Sequence, residues 1–212
     1  MIHFHQVDRD SRYEAYQWHR GYASGDSHLF PRGKAEYGAL VLDGAVWCAT
    51  VDNDYCAMAY YSEKPNAWEV GGLMVQQIQR EAGVGSTLAR LVLGNVLTEL
   101  DPLKSEERVL AYILAQNDKP RKLIESKLKF RHNKSITIPG TQLPGLLTGD
   151  DGNVHGDEFE LAVPDSLEAL VNWCENWSDK LRDGAPARIT LPAGHTFSGW
   201  INDLKEMIVE NV

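Results

Sequence analysis

The part of the sequence best suited to chemistry is a strand that runs into a glycine-containing loop and then into a helix. The strand reads Glu69-Val70-Gly71-Gly72-Leu73-Met74-Val75, and the loop reads Arg80-Glu81-Ala82-Gly83-Val84-Gly85. Glycines two positions apart allow the backbone to approach a ligand closely. The free N–H groups of such a loop and of the first helical turn converge on an anion, which the helix dipole favours. The pattern therefore predicts a site for a phosphate or a pyrophosphate.

Two common glycine-loop motifs do not fit this segment. A P-loop requires Gly-Lys-Ser/Thr, which the segment lacks. A dinucleotide-binding fingerprint requires Gly or Ala at the position of Leu88, and the β-meander that precedes the loop is not typical of a doubly wound fold. The motif that fits is Arg-x-x-Gly-x-Gly, carried by Arg80, Gly83 and Gly85.

Hydrophobic spacing and turn residues predict the elements that position this loop. Strands are predicted at residues 2–7, 47–51, 55–61, 68–75, 108–116, 130–138 and 159–163. Helices are predicted at residues 8–23, 85–100 and 120–128, and residues 34–42 fit either a helix or a strand. Three meandering strands followed by β-α-β units indicate an α/β (α+β) fold with a mixed sheet and helices on its faces.

A different pattern begins after residue 164. Asp165 and Glu168 fit a capping box, and an apolar stripe from Leu167 to Leu181 predicts a helix that ends before Gly184. A strand at residues 188–191 and a helix at residues 197–209 follow. We therefore divide the chain into a main domain, residues 1–164, and a C-terminal α-β-α extension, residues 165–212, that packs on the core or on a partner subunit.

Composition excludes several classes of function. The 212 residues carry 21 basic and 30 acidic side chains, a formal net charge of −9. This charge disfavours a sequence-independent grip on nucleic acid or on an anionic membrane. The N-terminal stretch lacks the regions of a signal peptide and the chain lacks a membrane-spanning run, so we expect a cytoplasmic protein. Cys48, Cys56 and Cys174 are too scattered for a disulfide framework or a metal site, and no metal is expected.

The glycine loop resembles a motif of the GNAT superfamily of acetyl-CoA-dependent N-acetyltransferases. In that family an Arg/Gln-x-x-Gly-x-Gly/Ala loop binds pyrophosphate after a central strand, and here Arg80 follows Val75 by five residues. Downstream, Asn117 and the segment ending at Phe130 resemble the family's Asn-to-Gly-Phe stretch. The resemblance covers residues 1–164 in element order. It implies a mostly antiparallel central sheet whose two central strands are splayed, flanked by helices.

The resemblance also implies a binding site for acetyl-CoA. Backbone groups of residues 73–75 would pair with the pantetheine arm as an added strand does, and N–H groups of residues 80–85 would bind the pyrophosphate. Lys119, Arg121 or Lys122 would approach the 3′-phosphate. The residues predicted to bind the cofactor are Leu73, Met74, Val75, Arg80, Glu81, Ala82, Gly83, Val84, Gly85, Ser86, Asn117 and Arg121.

Glu69 is the predicted catalytic base. Acetyl transfer requires a deprotonated amine, and a lysine-type amine has an ordinary pKa of about 10.4. A carboxylate near the inner end of the central strand can remove the proton directly or through water. Glu69 stands six residues before Val75, where many GNAT proteins carry a glutamate. A backbone N–H, that of Met74, would stabilise the oxyanion.

Several residues depart from the GNAT pattern. The tyrosine that usually protonates the leaving thiolate is replaced by Ile124, and the glycine of the Gly-Phe pair is replaced by Lys129. Ser126 and Tyr112 are the available substitutes for the general acid. Glu81 places a carboxylate in the glycine loop and must point to solvent to permit phosphate binding.

These observations favour an N-acetyltransferase that moves an acetyl group from acetyl-CoA directly to a primary amine, without a covalent enzyme intermediate. One alternative is a GNAT-fold module that binds CoA or another ligand without acetyl transfer, which the missing tyrosine motivates. Another is an acyltransferase that acts on a protein, a tRNA or a nucleic acid. A local basic groove for such a polyanion would consist of Arg121, Lys122, Lys127, Lys129 and Arg131. A homodimer is possible under each hypothesis.

Overall fold

The computed structural model describes residues 1–99 and 107–209, which form eight strands and six α-helices. The strands are β1 (Ile2–Gln6), β2 (Val46–Val51), β3 (Asp54–Lys64), β4 (Ala67–Val75), β5 (Arg108–Leu114), β6 (Phe130–Pro139), β7 (Asn153–Leu161) and β8 (Ala187–Ile189). The helices are α1 (Arg12–Ser24), α2 (Lys34–Leu42), α3 (Val84–Glu99), α4 (Asp118–Lys127), α5 (Val163–Glu175) and α6 (Phe197–Val209). Leu100 and Pro102, which the sequence places at the end of the long third helix, lie outside the described residues.

The eight described strands form one sheet in the order β6-β7-β5-β4-β3-β2-β1-β8. Five of its seven pairings are antiparallel, and only β4–β5 and β1–β8 are parallel. The β4–β5 register ends at Glu69 and Leu110, although the strands continue to Val75 and Leu114. Beyond the last pair a gap opens in the middle of the sheet. The expected mixed, mostly antiparallel sheet with splayed central strands is therefore confirmed.

Helices cover both faces of the sheet. On one face, the Tyr37 hydroxyl of α2 lies 3.2 Å from the sulfur of Met58 on β3. On the other face, the ring of Trp200 on α6 lies 6.4 Å from the ring of Trp47 on β2 and packs over Gly94 of α3. The two faces are distinct because Trp47 pairs with Ala59, whose side chain points opposite to that of Met58. The gap between β4 and β5 is therefore accessible from an α1–α2 side and from an α3 side.

The C-terminal segment adds to the same sheet. β8 pairs in parallel with β1, from Ile2 opposite Ala187 to Phe4 opposite Ile189. Trp200 is 1% exposed, and a Cβ added at Gly94 would lie 2.6 Å from its ring, so only a glycine lets the two helices approach this closely. In the described chain, the segment after residue 164 packs on the core through this contact and through β8.

The structure decides between the two alternatives for residues 34–42 and differs from two other sequence expectations. Residues 34–42, left open between helix and strand, form α2, which ends before the left-handed Gly44 (φ +69°). The predicted capping box is wrong, because Ala162 is the N-cap of α5 without a side-chain cap and Asp165 instead pairs with Arg131 at 2.7 Å. The predicted helix to residue 181 ends at Glu175.

The last strand of the main domain also begins earlier than its apolar pattern indicates. It was predicted at residues 159–163, but β7 runs from Asn153 to Leu161. Its first half is polar, and its Asp157 and Glu158 are buried carboxylates with partners on neighbouring elements. A strand paired on both sides tolerates such residues when each charge has a partner.

Candidate active site

A bulge in β4 shapes the centre of the site. Met74 pairs with Met58, but Gly71 pairs with Tyr60, so Gly72 and Leu73 together face Ala59. Gly72 has φ +60°, and a Cβ at this position would lie 2.0 Å from the Cε1 of Tyr60. Only glycine fits there, for both conformational and steric reasons. The bulge turns backbone groups of β4 out of the β3 ladder, at the level where the gap opens.

A cavity of about 610 Å³ occupies this gap. One side is lined by β4 from Glu69 to Met74, and the other side by β5 from Ala111 to Leu114. On the α3 side of the sheet, the cavity is lined by side chains of α3 and α4. On the opposite side, it is lined by residues of the connection between α1 and α2. The cavity therefore connects the two faces of the sheet through the gap.

The glycine loop (residues 80–85) opens α3 at the end of β4. Gly83 has φ +94°, and the first turn closes with a hydrogen bond from the Thr87 N–H to the Gly83 carbonyl at 3.0 Å. The N–H groups of residues 84–86 precede this bond and belong to the first helical turn, which has no intrahelical acceptors. Glu81 is exposed, as a phosphate site requires. The loop can thus present N–H groups and the positive end of the α3 dipole to an anion.

The carbonyl of Val75, at the end of β4, points away from the β3 ladder. It accepts hydrogen bonds from the Tyr22 hydroxyl at 2.6 Å and from the Arg80 Nε at 3.0 Å. Arg80 also reaches the Tyr22 hydroxyl, at 2.9 Å. The arginine of the motif therefore fixes the strand end to the loop, and both acceptor positions of this carbonyl are already used.

The C-terminal segment contacts the glycine loop directly. The backbone N–H of Arg182 donates to the Ala82 carbonyl at 3.2 Å, and the Arg182 Cβ would lie 3.3 Å from a Cβ at Gly83. The sequence did not predict this contact, since nothing local links residue 182 to residue 82. The segment after residue 164 thus supports the conformation of the loop.

Glu69 lines the cavity near the last β4–β5 pair. Its Oε1 accepts from Arg32 Nη2 at 3.2 Å, and its Oε2 lies 3.1 Å from Lys64 Nζ. The Glu69 side chain is only 16% exposed, and two cations hold its carboxylate in this largely enclosed position. It lies on the α1–α2 side of the gap, since Arg32 belongs to the connection between these helices.

Sequence reasoning missed Arg32, which organises this side of the site. Its Nε donates to the Tyr60 hydroxyl at 3.0 Å, and it also pairs with Glu36. Its backbone N–H donates to His19 Nε2 at 3.2 Å. Burial, and then the nearby Arg32 charge, lower the pKa of His19 to about 4, which leaves the imidazole neutral and able to accept this bond. Arg32 follows a proline in a segment without periodicity, so the sequence offers no signal for its role.

Comparison with models of known protein families and with curated proteins gives no match to the sequence. Comparison with solved structures gives many matches. The ribosomal-protein-S18-alanine N-acetyltransferase from Escherichia coli is 16% identical, with a TM-score of 0.52 over 76% of this chain and 93% of that chain. The acetyltransferase of GNAT family from Streptococcus pneumoniae is 9% identical, with a TM-score of 0.55 over 76% and 98%. The NatC complex bound to Gag peptide and CoA is 13% identical, with a TM-score of 0.57 over 76% and 99%.

The chain has the fold of the GNAT acetyltransferases. The fold implied by the sequence resemblance is thereby confirmed, and the strands and loop that the resemblance singled out occupy the centre of the sheet.

The GNAT resemblance also assigned a role to the helix after β5. Asn117 precedes α4 and lines the cavity, three residues beyond the end of β5 rather than at the strand end itself. Ile124, at the position of the usual GNAT tyrosine, is buried and lines the cavity as well. Ser126 donates to the Lys122 carbonyl of the same helix and is exposed. α4 therefore offers no hydroxyl to the cavity among these residues.

Tyr112 of β5 is the remaining substitute for the general acid. It lines the cavity and is 43% exposed. Burial, and then the hydrogen bond and charge of Glu158, raise the pKa of Tyr112 to about 12. A phenol with this pKa stays protonated but is a weak donor to a thiolate whose conjugate thiol has a pKa of about 8.5. Tyr112 is therefore a poor substitute for the general acid.

Arg121, predicted to approach a phosphate, lies against the sheet. Its guanidinium pairs with Asp157 of β7 and stands 5.3 Å from the Phe159 ring centroid. A contact with a ligand would require this pair to open, so the role of Arg121 in binding stays a prediction. The ion pair of Arg121 and Asp157 stabilises the fold.

We expect Asp157→Asn to lower the Tm at pH 7 by about 4 °C. The hydrogen bond from Ser135 at 2.7 Å, and then the Arg121 and His132 contacts, lower the pKa of Asp157 to about 2. A lowered pKa stabilises the fold above the ordinary carboxyl value of about 4, and this stabilisation is lost as the pH falls towards 2. The difference in Tm between variant and parent should therefore shrink over that range.

Asp165→Asn is the matched control for this measurement. Asp165 pairs with Arg131 at 2.7 Å, but both side chains are largely exposed, so the substitution should change the Tm by less than about 1 °C. A difference for Asp157→Asn that stayed constant from pH 7 to pH 2 would contradict the assignment.

Within residues 1–99 and 107–209, no three His, Cys, Asp or Glu side chains are grouped so that they could hold a metal ion. In the same ranges, no helix combines the length and the apolar character needed to cross a bilayer.

Proposed function

We propose that the chain is an acyltransferase that moves the acetyl group of acetyl-CoA to a primary amine. The observation that carries the proposal is the bulged β4, whose left-handed Gly72 opens the strand towards a gap and whose end continues into the glycine loop of α3. An extended pantetheine arm can pair with a free strand edge, and a pyrophosphate can bind at a helix N-terminus. The NatC complex, which shares this fold, has CoA bound.

The residues present fit such a cofactor. Leu73 and Val75 lie on the β4 edge facing the gap, with Met74 lining the cavity between them. Residues 81–86 would bind the pyrophosphate through their N–H groups, with Glu81 turned to solvent, whereas the Arg80 N–H already donates to the Gln77 carbonyl at 3.3 Å. Asn117 would contact the arm from the opposite side of the gap. Since Arg80 and Tyr22 use the Val75 carbonyl, the backbone groups of Leu73 in the bulge are the better partners for the arm.

Glu69 would act as the base. Acetyl-CoA, when bound, supplies a thioester carbon for the amine to attack. Glu69 accepts the proton of the amine, directly or through water, while Arg32 and Lys64 hold the carboxylate in place. A backbone N–H at the β4 bulge donates to the developing oxyanion. Loss of the thiolate would leave the amide, and Glu69 would return its proton to the solvent that protonates the thiolate.

The position of Ile124 favours a second candidate function, a module that binds CoA without acetyl transfer. Acetyl transfer to a polyanion is less well supported, because Arg121 and Arg131 of the suggested basic groove are paired with Asp157 and Asp165. One experiment distinguishes CoA binding without transfer, and acetyl transfer to a polyanion, from acetyl transfer to a primary amine.

Calorimetric titration with CoA and a thiol-release assay with acetyl-CoA and a panel of amines, peptides and tRNA test the proposal. We expect saturable CoA binding and amine-dependent thiol release. A Gly85→Val variant should lower CoA affinity about tenfold or more, because a Cβ at Gly85 would lie 3.1 Å from Val75 Cγ2 and press on the strand edge that receives the arm.

Gly38→Ala is the control for this variant, because nothing lies within 4 Å of a Cβ at this helical position. It should leave CoA affinity unchanged. CoA binding without thiol release on any acceptor would favour the binding module, and undetectable CoA binding would refute the proposed function.

A further inference from the structure

The face of β6 and β7 that looks towards the gap has an apolar part, which is followed on the same face by the ion pair of Lys134 and Glu158. Ile138 pairs with Val154 and Ile136 pairs with Gly156, so these four residues share one face of the sheet. Asp157 and Phe159 alternate with them and therefore lie on the opposite face, where Arg121 of α4 contacts both. The apolar residues thus lie on the α1–α2 side of the sheet, the side on which Arg32 holds Glu69.

Two connecting segments complete this apolar surface. The segment between β6 and β7 contributes Leu143 and Leu146, and the segment between α1 and α2 contributes Leu29 and Phe30. The two segments meet, because the Leu147 N–H donates to the Ser27 carbonyl at 2.9 Å. All of these apolar side chains line the same cavity as Glu69.

Four of the apolar side chains around the cavity lie outside the core, whereas Leu29 packs against it. Ile136, Ile138, Leu143 and Leu146 are only partly buried and stand outside the apolar core of the described chain. Gly156 keeps the space between them open, since a Cβ there would lie 2.9 Å from the Ile113 carbonyl and 3.6 Å from Ile136. Apolar side chains arranged around an open space favour an apolar ligand group.

The charged residues around the cavity also favour an apolar ligand group. Among the described lining residues, Glu69 is the one carboxylate, and both of its oxygens already face a cation, Arg32 or Lys64. His28 lines the cavity and hydrogen-bonds at 3.1 Å to Asp26, which does not line it. The net charge of −9 therefore lies elsewhere, and a second ammonium group of an acceptor would find no free carboxylate here.

We infer that the acceptor is an amine whose remaining part is a bulky apolar group, which binds between the α1–α2 segment and the face formed by Ile136, Ile138 and Val154. This inference rests on the proposed acetyl transfer and names its substrate class. The amine points to Glu69, while the apolar group is removed from water against Leu143 and Leu146.

A series of linear alkylamines with acetyl-CoA tests the inference. Burial of each added methylene group should raise kcat/KM about threefold, or about thirtyfold from propylamine to hexylamine. 1,6-Diaminohexane, which has the same length and a second ammonium group, should react at least about tenfold less efficiently than hexylamine. A flat series, or a preference for the diamine, would overturn the inference while leaving acetyl transfer intact.

Two leucine variants test where the alkyl chain of the amine binds. Leu146→Asn should lower kcat/KM for hexylamine about tenfold and leave the KM for acetyl-CoA unchanged, because Leu146 lines the cavity. Leu147→Asn is the control, since the neighbouring leucine is 40% exposed and not part of the lining. Equal effects of the two variants on hexylamine would contradict the proposed position of the apolar group.

The alternative to an apolar acceptor is an acyl donor with a longer chain, which would occupy the same apolar space. Hexanoyl-CoA distinguishes the apolar acceptor from the longer acyl donor. Under the inference, hexanoyl-CoA is used less efficiently than acetyl-CoA with hexylamine as acceptor. A preference for hexanoyl-CoA would overturn it. Turnover of no amine despite CoA binding would refute both the inference and acetyl transfer, whereas failure of the chain-length series alone would refute only the inference.

Discussion

Glu69→Gln is expected to lower kcat for amine acetylation about a hundredfold while leaving the KM for acetyl-CoA nearly unchanged. Glutamine keeps the size and the hydrogen-bonding oxygen of the side chain but cannot accept the proton of an ammonium group. The rate of the parent protein should rise with pH as more amine is deprotonated with the help of Glu69. In the variant only the acceptor's own deprotonation remains, so the rate should rise at higher pH, near the amine's ordinary pKa of about 10.4.

The control for this prediction is Glu63→Gln. Glu63 is an exposed carboxylate on β3, opposite Trp68 and therefore one residue from Glu69 in the register. Its removal changes the net charge by the same amount, but it does not line the cavity. An identical pH profile for Glu69→Gln and the parent protein would exclude Glu69 as the base.

Thermal unfolding shows whether a lower rate of Glu69→Gln comes from the loss of the base or from a loss of folded protein. Glu69→Gln also weakens two ion pairs, with Arg32 and Lys64. Because Arg32 keeps its contacts with Tyr60 and Glu36, we expect the fold to persist and the Tm to fall by no more than about 4 °C. CoA affinity in the variant should match that of the parent protein.

The glycine loop could be predicted from the sequence because its determinants are local. Gly83 needs its left-handed backbone, and Arg80 reaches back to Val75, only five residues away. The order of the elements along the chain was likewise encoded in alternation and turn residues, whereas the splayed central strands were expected from the GNAT resemblance alone. For this reason the motif and the surrounding sheet were recognisable together.

The α1–α2 side of the site could not be predicted in the same way. Arg32 reaches Tyr60 across 28 residues and Glu69 across 37, and the connection that holds it shows no periodic pattern. Ile136 and Ile138 read as ordinary strand residues, because the sequence does not say whether an apolar face meets a helix or a cavity. Such contacts depend on tertiary packing, which a residue pattern alone does not determine.

Polar residues inside elements account for the misplaced boundaries. The first half of β7 lacked an apolar run, yet Asp157 is satisfied there by Ser135, Arg121 and His132. The apolar stripe beyond Glu175 predicted more helix, but Trp177 and Leu181 follow the end of α5, where Leu181 hydrogen-bonds to Ala185 at 2.9 Å. In both cases tertiary partners outweighed the local pattern.

Gly72→Ala is expected to lower the free energy of unfolding by about 3 kcal/mol, which corresponds to a fall in Tm of about 9 °C. The residue is left-handed, and its Cβ would lie 2.0 Å from the Tyr60 ring, so the ring or the bulge must move. Because Tyr60 holds Arg32 and Arg32 holds Glu69, the displacement should also reduce acetyl transfer.

Gly71→Ala is the matched control for stability. Its φ is not left-handed, and the nearest atom to its Cβ would be Glu69 Oε1 at 3.6 Å, so the Tm should change by less than about 2 °C. In a Gly72→Ala variant that also carries Tyr60→Leu, the clash with the ring is removed. The double variant should therefore lose less stability than the sum of the losses measured for the two single variants. Strict additivity, or an unchanged Tm in Gly72→Ala, would show that the β4 bulge does not depend on the contact between Gly72 and Tyr60.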